Sequence, residues 1–280
     1  MQTHRYVIVD VFTDRALAGN ALAVFPDARG LDDGKMQALA RELNLSETVF
    51  VLPKQGPGQA RIRIFTPAKE IPFAGHPTLG TAFVIGTSVQ LDPIVLETAA
   101  GPVPVRLERE AARVVFGWMN QPLPHVVPFD DTPALLAALH VERSELPVVA
   151  YDNGLRHVFV TLANPAAVAA LKHDLAALAR LPEFAVSAFA GEGTKWKTRM
   201  FAPAFGIVED PATGSAAGPL AVHLARHGRI AFGSTIEIEQ GTEIARPSRL
   251  FARAEGSAEH LTRVEVGGAA VIVARGEFRI

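Results

Sequence analysis

Three short stretches hold the polar groups best suited to chemistry: Ser46-Glu47, Gly75-His76, and Glu209-Asp210 with Thr213-Gly214-Ser215. Carboxylates and imidazoles are the side chains that most often move protons near neutral pH. Glu47 is followed by Thr48-Val49-Phe50, an apolar run that would desolvate a carboxylate and bring its pKa towards the useful range. A capping or strand-edge residue is the other reading of Glu47. His76 precedes Pro77 at a helix start. It reads either as a core histidine held by a carbonyl or as a site residue beside a glycine that permits close backbone approach. Asp210 stands before Pro211, and Asp-Pro also begins ordinary turns. Glu209 adds a second carboxylate, and one of the two is expected to face inward. Thr213-Gly214-Ser215 opens a helix whose backbone N–H groups suit a carboxylate or phosphate.

Other chemistries find little support. His223 and His227 are four apart, a metal-ligand spacing, but the intervening Leu224-Ala225-Arg226 lacks the acid of the zinc-protease pattern and adds a cation. No metal site is expected. There is no G-x-S-x-G elbow, no P-loop and no dinucleotide fingerprint, so no cofactor is expected either. The absence of cysteine excludes disulfides, thiolate ligands and a thiol nucleophile or base. A formal net charge of -2 offers no basic excess for nucleic acid or an acidic membrane surface. No apolar run reaches membrane length, and the first strand-like run is interrupted by Asp10 too soon for a signal peptide. A cytoplasmic protein is the expectation. What remains is acid-base chemistry on a small, anionic molecule.

The elements that must position these groups come as a repeat. Phe65-Thr66-Pro67-Ala68 leads through a short loop to Gly75 and an apolar run. Phe201-Ala202-Pro203-Ala204 leads in the same way to Gly214. Each copy follows an alternating strand-like run and continues as a buried helix. Two such copies in 280 residues predict two similar halves, with two helix N-termini offering N–H groups and dipole ends to one shared anion. Before the first copy, Met36, Leu39, Ala40 and Leu43 recur at helical spacing behind Asp32 and Asp33, and Asn44 ends that helix. Glu47 therefore falls at a helix-to-strand junction. The proline-rich run Gln121 to Pro128 bridges the halves, placing an N-terminal lobe at 1–125, a C-terminal lobe at 126–280 and the site in the cleft between them. The second half should open with a helix capped by Thr132 and carry another from Asn164-Pro165 to Leu171. The expected class is α+β, two pseudo-symmetric lobes, each a mixed sheet curled around a central helix.

At these residues the chain resembles the PhzF-like phenazine biosynthesis family, which shares the diaminopimelate epimerase fold. The blocks are Tyr6 to Phe25 with Gly19-Asn20, Asn44 to Phe50, Ile64 to Pro67 with Phe73 to Ala82, and Glu209 to Gly218. Arg156 to Val160, Arg199-Met200-Phe201 and Ala221 to His227 resemble the members that act in phenazine synthesis. The resemblance implies isomerisation of trans-2,3-dihydro-3-hydroxyanthranilate, with Glu47 taking a proton from C3 and delivering it to C1. The resulting aminoketone condenses with a second copy. It further implies that His76 and Asp210 contact the substrate, that Ser46, Gly75, Gly214 and Ser215 bind its carboxylate and amine, and that the protein is a homodimer. Contact with other phenazine-pathway enzymes is left open. Two departures stand out: Ala21, where the family commonly has proline, and Asp152 to Leu155, to which no function attaches. An isomerase acting on another small carboxylic acid, or a non-catalytic binding protein, are the alternatives.

Overall fold

Runs rich in β-branched and aromatic residues form strands over most of the chain, because such side chains fill a pleated, half-buried surface. The computed structural model describes residues 2–280, which divide into two units. The first takes the chain as far as Asn120 together with Gly267–Ile280. It contains β1 (Thr3–Val11), β2 (Asn20–Phe25), α1 (Asp33–Leu43), β3 (Glu47–Leu52), β4 (Ala60–Phe65), the short β5 (Glu70–Ile71), α2 (Gly75–Gly86), β6 (Ile94–Thr98), β7 (Gly101–Glu110) and β8 (Arg113–Asn120). The second unit, Gln121–Val266, begins with β9 (His125–Val127), α3 (Thr132–Ala138), β10 (Val149–Asp152), β11 (Arg156–Thr161), α4 (Pro165–Ala169) and α5 (Leu175–Leu178). It continues with β12 (Ala185–Glu192), β13 (Lys195–Ala202), β14 (Ile207–Asp210), α6 (Gly214–Arg226), β15 (Thr235–Gln240), β16 (Ser248–Gly256) and most of β17 (Leu261–Gly268). The last strand, β18 (Ala270–Arg279), returns to the first unit. The division therefore differs from one at 125/126 with all later residues in the second lobe. Its physical reason is the antiparallel ladder of β18 along the whole of β1, from Thr3↔Arg279 to Val11↔Ala270.

Both units repeat one succession of pairings. The pairs β1–β2 and β10–β11 are antiparallel, and β2–β3 and β11–β12 are parallel. Next come antiparallel β3–β4 and β12–β13, then the short antiparallel β4–β5 and β13–β14. Parallel β4–β6 and β13–β15 follow, and antiparallel β6–β7 and β15–β16 close the series. The long buried helix lies between the same two strands each time, α2 between β5 and β6, α6 between β14 and β15. This is the mixed-sheet architecture, curled as a half-barrel, that the repeat predicts.

In the first unit every residue of α2 except Ile85 is buried. A helix apolar all round must be covered all round, and α2 packs against β1, β2, β3, β6, β7 and β8, so the sheet curls about it. Gly80 permits the close fit: a Cβ there would stand 2.7 Å from a Val11 methyl and 2.8 Å from one of Leu22. On the other face of the sheet, Met36, Leu39 and Ala40 of α1 pack against Phe25, Phe50 and Phe65. Asp32 caps this helix by accepting from the Lys35 N–H, and Asn44 ends it in the left-handed region at φ 50°.

In the second unit α6 is buried from Gly214 to Ala225 and packs on β11, β15 and β16. Leu135, Val168 and Leu178 bring α3, α4 and α5 onto a core that includes Val158, Val160, Val186, Ala188 and Phe201. Two details depart from expectation. Thr132 is the first residue of α3 rather than its cap, which is Asp131, without a side-chain cap bond. The helix begun by Asn164 stops at Ala169, and Arg199 Nη1 donates to the carbonyls of Ala169 and Leu171 at its end, at 3.4 and 2.7 Å. His223 is a core histidine, fully buried, with Nδ1 3.3 Å from the Tyr151 hydroxyl. No helix among the described residues is long and apolar enough to cross a membrane.

Burial pushes His157 down from 6.5 to about 4 and, with the nearby charges of His227 and Arg226, pushes His223 down to about 3. The unfolded chain therefore takes up protons that the fold refuses, so stability is complete above pH 6.5 and falls as pH drops from 6.5 towards 4. Each histidine should contribute a slope of about 1.4 kcal/mol per pH unit within that window. Urea unfolding across it should show the decline, and His157→Gln should remove about one proton's share of the slope. An unchanged slope in that variant would contradict this account.

Candidate active site

The first unit brings together Glu47, His76 and a residue that sequence reasoning quoted without a role, Asn20. Parallel pairing puts Leu22 of β2 beside Glu47, the first residue of β3. Successive strand residues point to opposite faces. Phe25 and Phe50 belong to the core under α1, so Asn20, Leu22 and Glu47 point to the opposite face, the one α2 covers. His76 lies in the first turn of α2, with Nε2 3.3 Å from Glu47 Oε2 and Nδ1 3.2 Å from the Asn20 amide nitrogen. All three side chains are buried; Glu47 is 6% exposed. Burial pushes His76 down to about 3. Its contact with Glu47 is therefore that of a neutral imidazole with a carboxyl group, not an ion pair. Ser46 is half-buried at the turn before β3, and Gly75 is buried as the first residue of α2. The cap position of α2 is Ala74, which has no side chain to cover the first N–H groups.

The second unit holds Asp210, Gly214 and Ser215. Along β14, Glu209 and Asp210 take different partners. Glu209 receives Arg199 in a two-pronged ion pair at 2.9 and 2.8 Å, whereas Asp210 is buried and accepts the Thr213 hydroxyl at 2.6 Å. Both carboxylates are thus enclosed, Glu209 against Arg199 and Asp210 against Thr213. Thr213 occupies the N-cap of α6 but does not cap it. Its hydroxyl is committed to Asp210 and accepts from Gln240 Nε2 at 2.9 Å. Gln240 also donates to the Asp210 carbonyl at 2.7 Å and accepts from the Thr213 N–H at 3.0 Å.

The first turn of α6 is held from its carbonyl side. Gln121 Nε2 donates to the Gly214 carbonyl at 2.7 Å and Asn153 Nδ2 to that of Ser215 at 2.9 Å. Pro219 explains the second bond. Four residues after Ser215, it has no N–H to return to that carbonyl, and Asn153 supplies the missing donor. A Cβ at Gly218 would lie 2.2 Å from Gln121 Oε1, so glycine there admits the glutamine. Asn153 gives a role to the 152–155 turn that sequence alone left unassigned. A proline inside an apolar helix is a readable sign of a displaced carbonyl, but which distant side chain answers it is not.

The repeated pairings also align the halves residue by residue. Glu47 pairs with Leu22 at the start of β3, and Ala185 pairs with His157 at the start of β12, so Ala185 is its counterpart. Ile71 opposite Ile64 corresponds to Asp210 opposite Met200. Each unit therefore carries one of the two carboxylates, and no residue pair repeats it.

Against known proteins, the family model of phenazine biosynthesis-like proteins matches residues 9–276. The chain belongs to the phenazine biosynthesis-like family. Among PhzF-like relatives, a trans-2,3-dihydro-3-hydroxyanthranilate isomerase of Pseudomonas aeruginosa is 53% identical over 273 residues, 98% of each chain. The crystal structure of a PhzF-family protein of Bacillus anthracis superposes with a TM-score of 0.86 at 26% identity, covering 100% of both chains. A hydroxyproline epimerase of Agrobacterium vitis shares the fold, at TM-score 0.70 and 13% identity over 99% of this chain and 91% of its own. The fold is thus the diaminopimelate epimerase-like one expected of PhzF-like proteins.

Removing the Asn153 amide should strand a buried carbonyl, and Asn153→Ala is expected to cost about 1–3 kcal/mol. In a Pro219→Ala background the helix regains an N–H for Ser215, so the same substitution should cost less. A double-mutant cycle by urea unfolding measures the coupling, and strict additivity would refute the compensation.

Proposed function

We propose that the chain is a cofactor-independent isomerase that converts trans-2,3-dihydro-3-hydroxyanthranilate in phenazine biosynthesis. The observation that carries this is the 53% identity, over 98% of both chains, to the Pseudomonas aeruginosa trans-2,3-dihydro-3-hydroxyanthranilate isomerase. The site chemistry supports it. The reaction moves a proton between two carbons on one face of a ring, with no change of oxidation state. One carboxylate can do this, first as base and then as acid. Glu47 is a buried carboxyl group at a strand start, and its counterpart in the other unit is Ala185. A single base therefore suits this chain.

Glu47 removes the proton at C3, the electron pair moves through the ring π-system, and the same carboxyl group returns the proton at C1. The enol so formed becomes the ketone, which condenses with a second molecule. His76 stands against Glu47, and Asp210 receives the Thr213 hydroxyl, so both serve the substrate's polar groups in this proposal. The N–H groups that open α2 and α6, at Gly75 and Gly214 to Ser215, suit its carboxylate, with the Ser46 and Ser215 hydroxyls as further donors. That both units act on one molecule rests on the sequence repeat. A homodimer, a cytoplasmic location and any contact with other phenazine-pathway enzymes belong to the same proposal, on the family resemblance and the cysteine-free composition.

Purified protein mixed with dihydro-hydroxyanthranilate in deuterated water should consume it. Deuterium should enter at the reprotonated carbon only as far as Glu47 exchanges with solvent. Glu47→Gln should keep the fold and lower turnover roughly a hundredfold or more, the scale of losing a general acid-base group. A fully active Glu47→Gln enzyme would end the assignment of Glu47. No consumption by folded wild-type protein would move the substrate to another small carboxylic acid or point to a binding protein.

A further inference from the structure

We propose that Asn20 is a positioning residue: its amide holds His76 in the Nε2–H tautomer, so that a protonated nitrogen, and not a lone pair, is the ring nitrogen beside Glu47. The amide nitrogen of asparagine can only donate, and it lies 3.2 Å from His76 Nδ1. Nδ1 must therefore be the accepting nitrogen of the ring. A neutral imidazole has one proton, which this contact assigns to Nε2, and Nε2 lies 3.3 Å from Glu47 Oε2, close to the carboxyl group but outside hydrogen-bond geometry. Burial keeps the ring neutral, so the tautomer, and not protonation, decides what Glu47 meets.

The surrounding chain holds Asn20 firmly. It is 1% exposed and opens β2 opposite Val11 of β1. Gly19 before it takes φ +66°, and a Cβ there would lie 2.3 Å from the Val11 carbonyl, so the approach requires glycine. The preceding loop is tied back by the Leu17 N–H, which donates to Asp10 Oδ2 at 2.7 Å. Buried asparagine at this place is thus built in rather than incidental.

The consequence concerns the base. The positive end of an N–H bond this close interacts better with a charged carboxylate, the form that takes a proton from carbon, than with a neutral carboxyl group. With the opposite tautomer a lone pair would face the carboxylate. The catalytic half of this inference rests on the isomerase reading; the tautomer itself does not.

Two-bond proton–nitrogen correlation on protein labelled with 15N-histidine reports which ring nitrogen bears the proton. The His76 signals among nine histidines are identified by their loss in His76→Gln. In wild-type protein without substrate, His76 should carry its proton on Nε2. Asn20→Asp replaces the donor with an acceptor, which should move the proton to Nδ1 and lower kcat about tenfold or more, with KM changed far less. A wild-type proton on Nδ1 overturns the proposal, even if no variant folds. So does an Asn20→Asp protein that keeps Nε2–H, or one that reverses the tautomer at wild-type kcat. An Nε2–H tautomer in a wild-type protein that does not turn over dihydro-hydroxyanthranilate would instead count against the substrate.

Discussion

A helix without a polar side must be enclosed, and each unit is built around that requirement. Once the first sheet closes on α2, few places remain where buried polar groups can meet. The start of α2 is one, because its early N–H groups have no partners within the helix. Parallel pairing of β2 with β3 sends both strand starts to the same end of the sheet, which sets Leu22 beside Glu47 and puts Asn20 two residues earlier on the same face. His76, one residue into the helix, then meets both. The arrangement of the three follows from burying an apolar helix inside a sheet whose β2 and β3 run parallel.

The two units share a plan but not their chemistry. The counterpart of Glu47 is Ala185, and that of Asp210 is Ile71. The repeated loop-and-helix starts preserve backbone donors in both units, while the carboxylates differ from one to the other. Backbone geometry is repeated by any sequence that keeps the strand pairings. Side chains at equivalent positions are free to diverge.

Around Asp210, groups that usually serve local structure take other partners. Thr213 leaves its capping duty to bond Asp210, and Gln240 holds the threonine there. Arg199 pairs with Glu209 and also donates to the Leu171 carbonyl just beyond the end of α4. Asn153 takes over the helical bond that Pro219 cannot make. Each departure from ordinary helix structure is met by a specific buried partner, as the cost of an unsatisfied buried polar group demands.

Much of this was legible in the residues alone. The Phe-x-Pro-Ala repeat announced two like halves, the spacing of Met36, Leu39 and Ala40 with Asp32 and Asn44 marked α1, and the junction at Glu47 and the helix starts at Gly75 and Gly214 were local signals. Local rules of propensity and capping act over a few residues, so a sequence expresses them directly. Tertiary structure alone decided that β18 returns to β1, that Asn153 serves Ser215 across 62 positions, that Gln240 reaches Thr213, and that Asn20 faces His76 across 56. Those contacts depend on strand register and on how closely glycines such as Gly80 and Gly218 let a helix approach, and no short stretch of sequence encodes either.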